Sequence, residues 1–351
     1  MVTIEELLSV AKQRRASDLH VTVGIPPKAR INGELIDLEY PKLTPSEAMA
    51  MIGPLMNDKQ KKVFEEKGEV DFSYAIASLG RFRVNVFKQR GSYATVIRLV
   101  DTVIPDARAL GLTDSIVSLV NKKRGLVLVT GPTGSGKSTT LASLIQIINN
   151  TQNAHVITLE DPIEYLHMHR KAVVNQREIG IDTNSYADAL RAALREDPDV
   201  IMVGEMRDLD TISTAVTAAE TGHLVFSTLH TIGAASTIDR VIDIFPPYQQ
   251  QQIRIQLAAV LEAVISQQLI PTADGKGRVA AFEIMRTTPA VRTMIREGKT
   301  HQVASVMQTG RHMGMQTMDD AIFDLYIKKR ITSDAALNFA QDPATLNKRM
   351  Y

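Results

Sequence analysis

Cysteine is absent from the 351 residues. That excludes disulfides, zinc ribbons and thiolate catalysis, and it fits a reducing, cytoplasmic setting. The chain also lacks any run of about 18 apolar residues that could span a bilayer, so direct membrane insertion is not expected. A secretory leader is not expected either: MVTIEELLSVAKQRR puts acids where a signal peptide needs positive charge, and no long apolar core follows. Charge of one sign is not in excess. Forty basic residues face thirty-nine acidic ones, which gives no bulk reason to expect nucleic acid or an anionic membrane as the main partner. Internal repeats and low-complexity segments are missing. What is present is 44% hydrophobic and 23% charged, the balance of a chain that buries a core, with length for two or three domains.

The first hundred residues alternate between patterns. Ile4, Leu7, Leu8 and Ala11 share one face of a helix over 3–15,. SDLHVTV is strand-like, and PPKARINGELIDL reads as a hairpin turning at Asn32-Gly33,. TPSEAMAMIGPLM opens with the capping pattern Thr44-x-x-Glu47 and reads as a helix,. VDFSYAI, RFRVNVFKQ and YATVIRLV are β-rich. Residues 1–100 thus form a mixed α+β domain, and 101–114, with one Pro and one Gly, a linker,. From there the style changes. GLVLVTG, HVITLE, DVIMVGE and HLVFSTLH are short apolar runs separated by helical patterns such as SYADALRAALRE and DLDTISTAVTAAETG. Buried strands alternating with helices indicate a parallel sheet covered on both faces. Residues 115–351 read as one α/β domain; RVAAFEIM is its last strand, and it turns helical from about 288.

Gly131 to Ser138, GPTGSGKS, satisfies G-x-x-x-x-G-K-[ST]. Chance would produce this roughly once in a hundred chains of this length. It follows a strand, GLVLVT, and opens a helix, STTLASLIQIINN, the context its mechanism demands. Gly131, Pro132, Thr133, Gly134, Ser135, Gly136, Lys137, Ser138 and Thr139 are therefore the expected nucleotide cradle. Its backbone N–H groups and helix N-terminus face phosphates. Lys137 reaches the β- and γ-phosphates, and the Ser138 hydroxyl can ligate Mg²⁺,. A bare glycine turn is the bland alternative. The expected ligands are ATP and Mg²⁺.

Such a loop needs a second carboxylate strand and a group that activates water. DVIMVGEMRD places Glu205 just past an apolar run. TLEDPIEYLHMHR crowds Glu160, Asp161, Glu164, His167 and His169 into ten residues, Thr158 to Arg170 bounding them. Read alone, that stretch could chelate a metal, supply a base or form a wet loop. Beside the phosphate loop, Glu160 and Asp161 become metal-side acids at a strand end and Glu164 the candidate base. His167 and His169 lack a fixed ligand geometry. HLVFSTLH adds His223 before a strand and His230 at its end, where an imidazole can sense a γ-phosphate or simply be a satisfied structural group,. Arg81 and Arg83 alternate on one strand face, which is aimed at a ligand or merely solvated,. Arg292 and Arg296, at i, i+4 in AVRTMIRE, read as the polar face of an amphipathic helix,.

GPTGSGKSTT, LEDPIEY, REDPDVIMVGEMRD and AAETGHLVFSTLHT occur in this order. Together they resemble the Walker A, Asp, Walker B and His boxes of secretion ATPases, in the PilT/PilU branch of type IV pilus retraction ATPases. ASDLH, GRFRVNVFKQRG, AVRTMIREGK and GMQTMDDAIF extend the resemblance over essentially the whole chain. It implies a RecA-like P-loop NTPase core, an N-terminal PAS-like α+β domain and a helical C-terminal region. It also implies a homohexameric ring with ATP between subunits, at the inner-membrane base of the pilus machine. The implied partners are an inner-membrane platform protein and a second retraction ATPase. Glu164 would be the water-activating glutamate and Glu205 the carboxylate acting on magnesium. Arg81, Arg83 and Arg98 would approach the nucleotide as fingers, and AVRTMIRE would couple hydrolysis to retraction. The boxes look like the PilT side of the branch, whereas PTADGKGRVAAFE and DAIFDLYIKKRITSDAALNFA look more like PilU; Ser227 stands where many PilT sequences have glycine. Assembly ATPases share the four boxes but usually carry a four-cysteine zinc element and a further N-terminal domain. An accessory module with little turnover fits poorly with intact Lys137, Glu164 and Glu205, and a DNA translocase lacks support from charge.

Overall fold

Ile4, Leu7, Leu8 and Ala11 are all buried along the helix Ile4–Gln13 of the computed structural model, whose described residues are 2–350 apart from Asn32, Ala77, Asp101 and Thr102. Thr3 caps that helix reciprocally with Glu6, which satisfies two of the donors a helix start leaves open,. Thr44 and Glu47 do the same for the helix Pro45–Ile52. A third capping box, Asn57 with Gln60, starts the helix Asp58–Lys67, which the sequence reading did not single out.

The chain divides into two units, Met1–Val103 with Glu164–Leu166, and Ile104–Ile163 with His167–Tyr351. In the first, six antiparallel strands form one sheet: β1 (Asp18–Val21), β2 (Lys28–Ile31), β3 (Glu34–Asp37), β4 (Glu69–Ile76), β5 (Gly80–Gln89) and β6 (Ser92–Leu99), in the order β3-β2-β1-β6-β5-β4. Ile31 pairs with Glu34, so the β2–β3 connection is the expected two-residue turn at Gly33; its other residue, Asn32, lies outside the described set. Phe82, Val84, Val86 and Ile97 turn inward against the three helices. Arg83 is paired with Arg98, and Arg98 with Asp18, so these side chains share the opposite face, with Arg81 two residues along,.

The second unit is built on a seven-stranded sheet: β7 (Gly125–Thr130), β8 (His155–Glu160), β9 (Val173–Glu178), β10 (Val200–Val203), β11 (Leu224–Leu229), β12 (Leu261–Pro271) and β13 (Arg278–Arg286). Its order is β13-β12-β7-β11-β10-β8-β9, and only β12–β13 is antiparallel. Alternate residues feed two cores, one on each face. Leu126, Leu128, Ile157, Leu159, Ile201 and Val203 pack with the helices Tyr186–Ala193, Leu209–Glu220, Ala234–Asp243 and Pro247–Val260. Val127, Val129, Val156, Val200 and Met202 pack with the helix Lys137–Thr151. That helix buries Leu141, Leu144, Ile145 and Ile148, each worth about 1.5–3 kcal/mol, so the loop before it is held at a fixed place. Past residue 288 the chain is helical, and the helices Met318–Ile327, Ser333–Phe339 and Pro343–Met350 bury a further small core against Ile270 and Ala281.

Two strands escaped the sequence reading: β9 at one edge, and β12, which lies between β7 and β13. The helix Pro247–Val260 runs directly into β12 with no Gly or Pro between them, so the usual punctuation is missing. Arg292 is not a free surface arginine. It donates to the carbonyls of Ala258 (2.5 Å) and Ala259 (2.6 Å), where the helix before β12 ends, and to Glu262 Oε1 at 3.1 Å. It thereby satisfies carbonyls that the helix end leaves open. Arg296 donates to Thr293 of its own helix.

Candidate nucleotide-binding site

The loop Gly131–Gly136 connects the central strand β7 to the helix Lys137–Thr151. Gly131 has φ of 143°, and a Cβ there would lie 2.3 Å from the Gln267 carbonyl oxygen. Gly136, at φ 88°, is the left-handed residue from which the helix starts,. Pro132, Thr133, Gly134 and Ser138 are exposed, while Ser135 and Lys137 are buried. The Lys137 ammonium donates to the carbonyls of Gly131 (2.9 Å) and Pro132 (3.0 Å), so it is held inside the curve of the loop.

The neighbouring strand ends bring acids to the same side, as expected for an open parallel sheet. Glu205, two residues beyond β10, has a side chain only 15% exposed. Its Oε2 meets Arg207 Nε at 2.8 Å and His230 Nε2 at 3.3 Å. A carboxylate only accepts, so His230 presents Nε2–H to it. The structure therefore joins His230 to Glu205. Glu160, at the end of β8, is buried, and its Oε1 accepts from Thr158 Oγ1 (2.6 Å) and Gln176 Nε2 (2.9 Å). Asp161 is exposed. Tyr186 sits among these acids. Burial first, then the charges of Glu205, Asp161 and Glu160, raise its phenol above the ordinary range, against a smaller opposing effect of Arg207. The hydroxyl stays protonated and is available as a donor.

Glu164 is exposed and groups with the first unit, as do Arg81, Arg83 and Arg98. Within that unit Arg98 donates from Nε to Asp18 Oδ1 at 3.0 Å, and Asp18 also lies 3.9 Å from Arg30. His223 donates from Nδ1 to the Ala218 carbonyl at 2.9 Å, closing the helix Leu209–Glu220. Ser227 donates to the Val203 carbonyl at 2.9 Å across the β10–β11 pair.

The rest of TLEDPIEYLHMHR serves the helix after the phosphate loop. Asn149 donates to the Met168 carbonyl (2.8 Å) and accepts from the Arg170 N–H (3.1 Å). His169 Nδ1 accepts from the Val174 N–H. His167 is buried and donates from Nδ1 to Gln146 Oε1 at 3.0 Å. Burial lowers its pKa from 6.5 to about 4. The unfolded chain therefore binds an extra proton between these two values. Stability is whole above pH 6.5 and falls as the pH drops through the window. The expected loss from this group is about 2 kcal/mol between about pH 7 and pH 5. Denaturant unfolding at the two pH values, compared with His167→Gln, measures it; equal losses in both proteins would remove His167 as the cause.

Sequence reasoning missed Gln267, whose side chain is buried against the phosphate loop; Tyr186; and Gln176, which holds Glu160 and the His167 N–H. None of the three lies in a phosphate-loop motif. Only their strand and helix positions, known after folding, mark them.

A family model described as type II/IV secretion system protein matches residues 1–337. The chain belongs to this family. Among its members, the type IV pilus retraction ATPase PilT of Pseudomonas aeruginosa is 49% identical, covering 97% of this chain and 98% of that protein. The type IV pilus ATPase PilU of the same organism is 40% identical, covering 96% and 88%. A crystal structure of the pilus retraction motor PilT with bound ADP matches at a TM-score of 0.93, with 50% identity, over 99% of this chain and 100% of that one. The fold is accordingly that of the family, a RecA-like core with an N-terminal mixed domain and C-terminal helices. No helix among the described residues is long and apolar enough to cross a membrane.

Proposed function

We propose that the chain is an ATP-hydrolysing motor that retracts type IV pili and so drives twitching motility. One observation carries this reading: a complete phosphate loop, with Lys137 folded onto its carbonyls, in a chain similar to a retraction ATPase over nearly its full length. Loop N–H groups from Gly131 to Thr139 would hold the phosphates, and Lys137 would neutralise them. The Ser138 hydroxyl and the Glu205 carboxylate are hard oxygen donors, which suits a Mg²⁺ ion that keeps waters and phosphate oxygens as its other ligands. Bound there, the ion would offset charge on the transferring phosphoryl group. Asp161 and Glu160 support that acidic side, and Glu164 takes the proton from the attacking water. His230, paired with Glu205, would sense the γ-phosphate from the end of its strand.

The motor would act as a homohexamer. Arg81, Arg83 and Arg98 of an N-terminal domain over 1–100 would complete a neighbour's site, and the linker 100–114, of which Asp101 and Thr102 lie outside the described residues, would be the hinge as ATP is bound and hydrolysed. Its mechanical partner would be the inner-membrane platform protein, which places the ring on the cytoplasmic side of the pilus base. A PilU-like accessory role is the second reading, favoured by the tail; the higher identity to PilT, 49% against 40%, favours a primary motor. Deleting the gene is expected to leave surplus surface pili and abolish twitching, scored by electron microscopy and stab-plate spreading. Loss of pili would assign it to assembly instead.

A further inference from the structure

The missed strand β12 carries the phosphate loop's main brace. Gln267 is 3% exposed, and its side-chain amide spans the loop. Nε2 donates to the Ser135 carbonyl at 2.7 Å, and Oε1 accepts from Thr140 Oγ1 at 2.7 Å. The orientation is forced: a carbonyl can only accept, so the amide nitrogen must face Ser135 and the Thr140 hydroxyl must donate. Room for the amide exists only because residue 136 has no side chain, since a Cβ at Gly136 would lie 2.9 Å from Nε2. The backbone of Gln267 closes the other end of the loop at Gly131. One residue thus touches the loop at its start, its middle and the first turn of its helix.

The peptide plane gives this contact a functional direction. Carbonyl and N–H of one trans peptide point opposite ways. Pinning the Ser135 carbonyl onto the Gln267 amide therefore turns the Gly136 N–H away from that side chain. The contact at Thr140 fixes the helix turn that carries Lys137 and Ser138. We infer that Gln267 is the positioning residue of the phosphate loop, setting nucleotide affinity by aiming the Gly136 N–H and the first turn of the following helix. This rests on the reading of the loop as an ATP site.

Gln267→Met keeps length and apolar bulk but removes donor and acceptor. Its Kd for a fluorescent methylanthraniloyl-ADP with Mg²⁺, and its KM for ATP, are expected to rise about tenfold, while kcat changes by less than about twofold, the pattern of lost ground-state binding. Gln267→Leu also removes both polar ends of the brace and should raise Kd by a similar factor. Thr140→Val, which removes one contact from the other side, should move Kd in the same direction by a smaller factor, and it carries the test if either glutamine variant fails to fold. Wild-type Kd and KM in the folded Gln267→Met or Gln267→Leu protein would overturn the inference. Lys137→Ala is measured beside them. If it too binds normally, the nucleotide-site reading fails; if it loses binding while the Gln267 and Thr140 variants do not, only the bracing role falls.

Discussion

Glu164→Gln is expected to bind ATP within about twofold of the parent and to hydrolyse it slower by about 10²–10⁴, the range a positioned general base contributes. Gln matches Glu in shape but cannot accept the proton. Glu160 and Glu205 are held by partners of their own. Glu160 is buried and accepts from Thr158 and Gln176; Glu205 is paired with Arg207 and His230. Protonating either would weaken the bonds that its negative charge strengthens. Glu164 is exposed, on the segment next to the β8 end that supplies Glu160 and Asp161. Phosphate release under saturating ATP, with nucleotide binding measured on the same sample, separates the two effects. Normal turnover in the variant would remove Glu164 as the base. Asp161→Asn, changing an exposed acid beside the same strand end, is the comparison, and its loss should be smaller.

Motif and strand context together made the centre of the site readable. A phosphate loop states its own geometry: glycines where φ is positive, a lysine that curls back and a helix that starts inside it. The position of Glu205 just past a strand was legible too, because an apolar run of strand length ends just before it. The charge of TLEDPIEYLHMHR was legible, but its division of labour was not. His167 and His169 are used by Gln146 and the Val174 N–H, the first supplied by a helix 21 residues away and the second by β9, a strand that the sequence pattern does not mark. Nothing local says that an imidazole is buried. The strand β12 was hidden for a different cause. IRIQLAAVLEAVISQQLI mixes helical and alternating patterns, and the change from one to the other at Leu261 is decided by the empty place beside β7, a tertiary preference that overrides local propensity. With that strand the sequence reading lost Gln267. Arg292 shows the same limit, since an i, i+4 pair of arginines says only that they share a face. The helix end that Arg292 caps lies some thirty residues earlier.

Lys137→Ala should abolish ATP turnover and weaken ADP binding by about a hundredfold, the loss of roughly two charge-assisted hydrogen bonds. The fold should survive. In the parent the ammonium is bound to the carbonyls of Gly131 and Pro132 of its own loop, not to groups of the hydrophobic core. The helix keeps its anchor through Leu141, Leu144, Ile145 and Ile148. Thermal unfolding with and without ADP and Mg²⁺ reads both points at once. At a ligand concentration of about a hundred times the parent's Kd, binding stabilises the parent by about 2.7 kcal/mol. A hundredfold weaker variant gains only about 0.4 kcal/mol from the same ligand. The two proteins should therefore unfold at nearly the same temperature without nucleotide and separate clearly with it. A variant that is stabilised by ADP as strongly as the parent would mean that the phosphates are held without Lys137. A variant already destabilised without ADP would mean that the ammonium serves the loop's own architecture rather than the ligand.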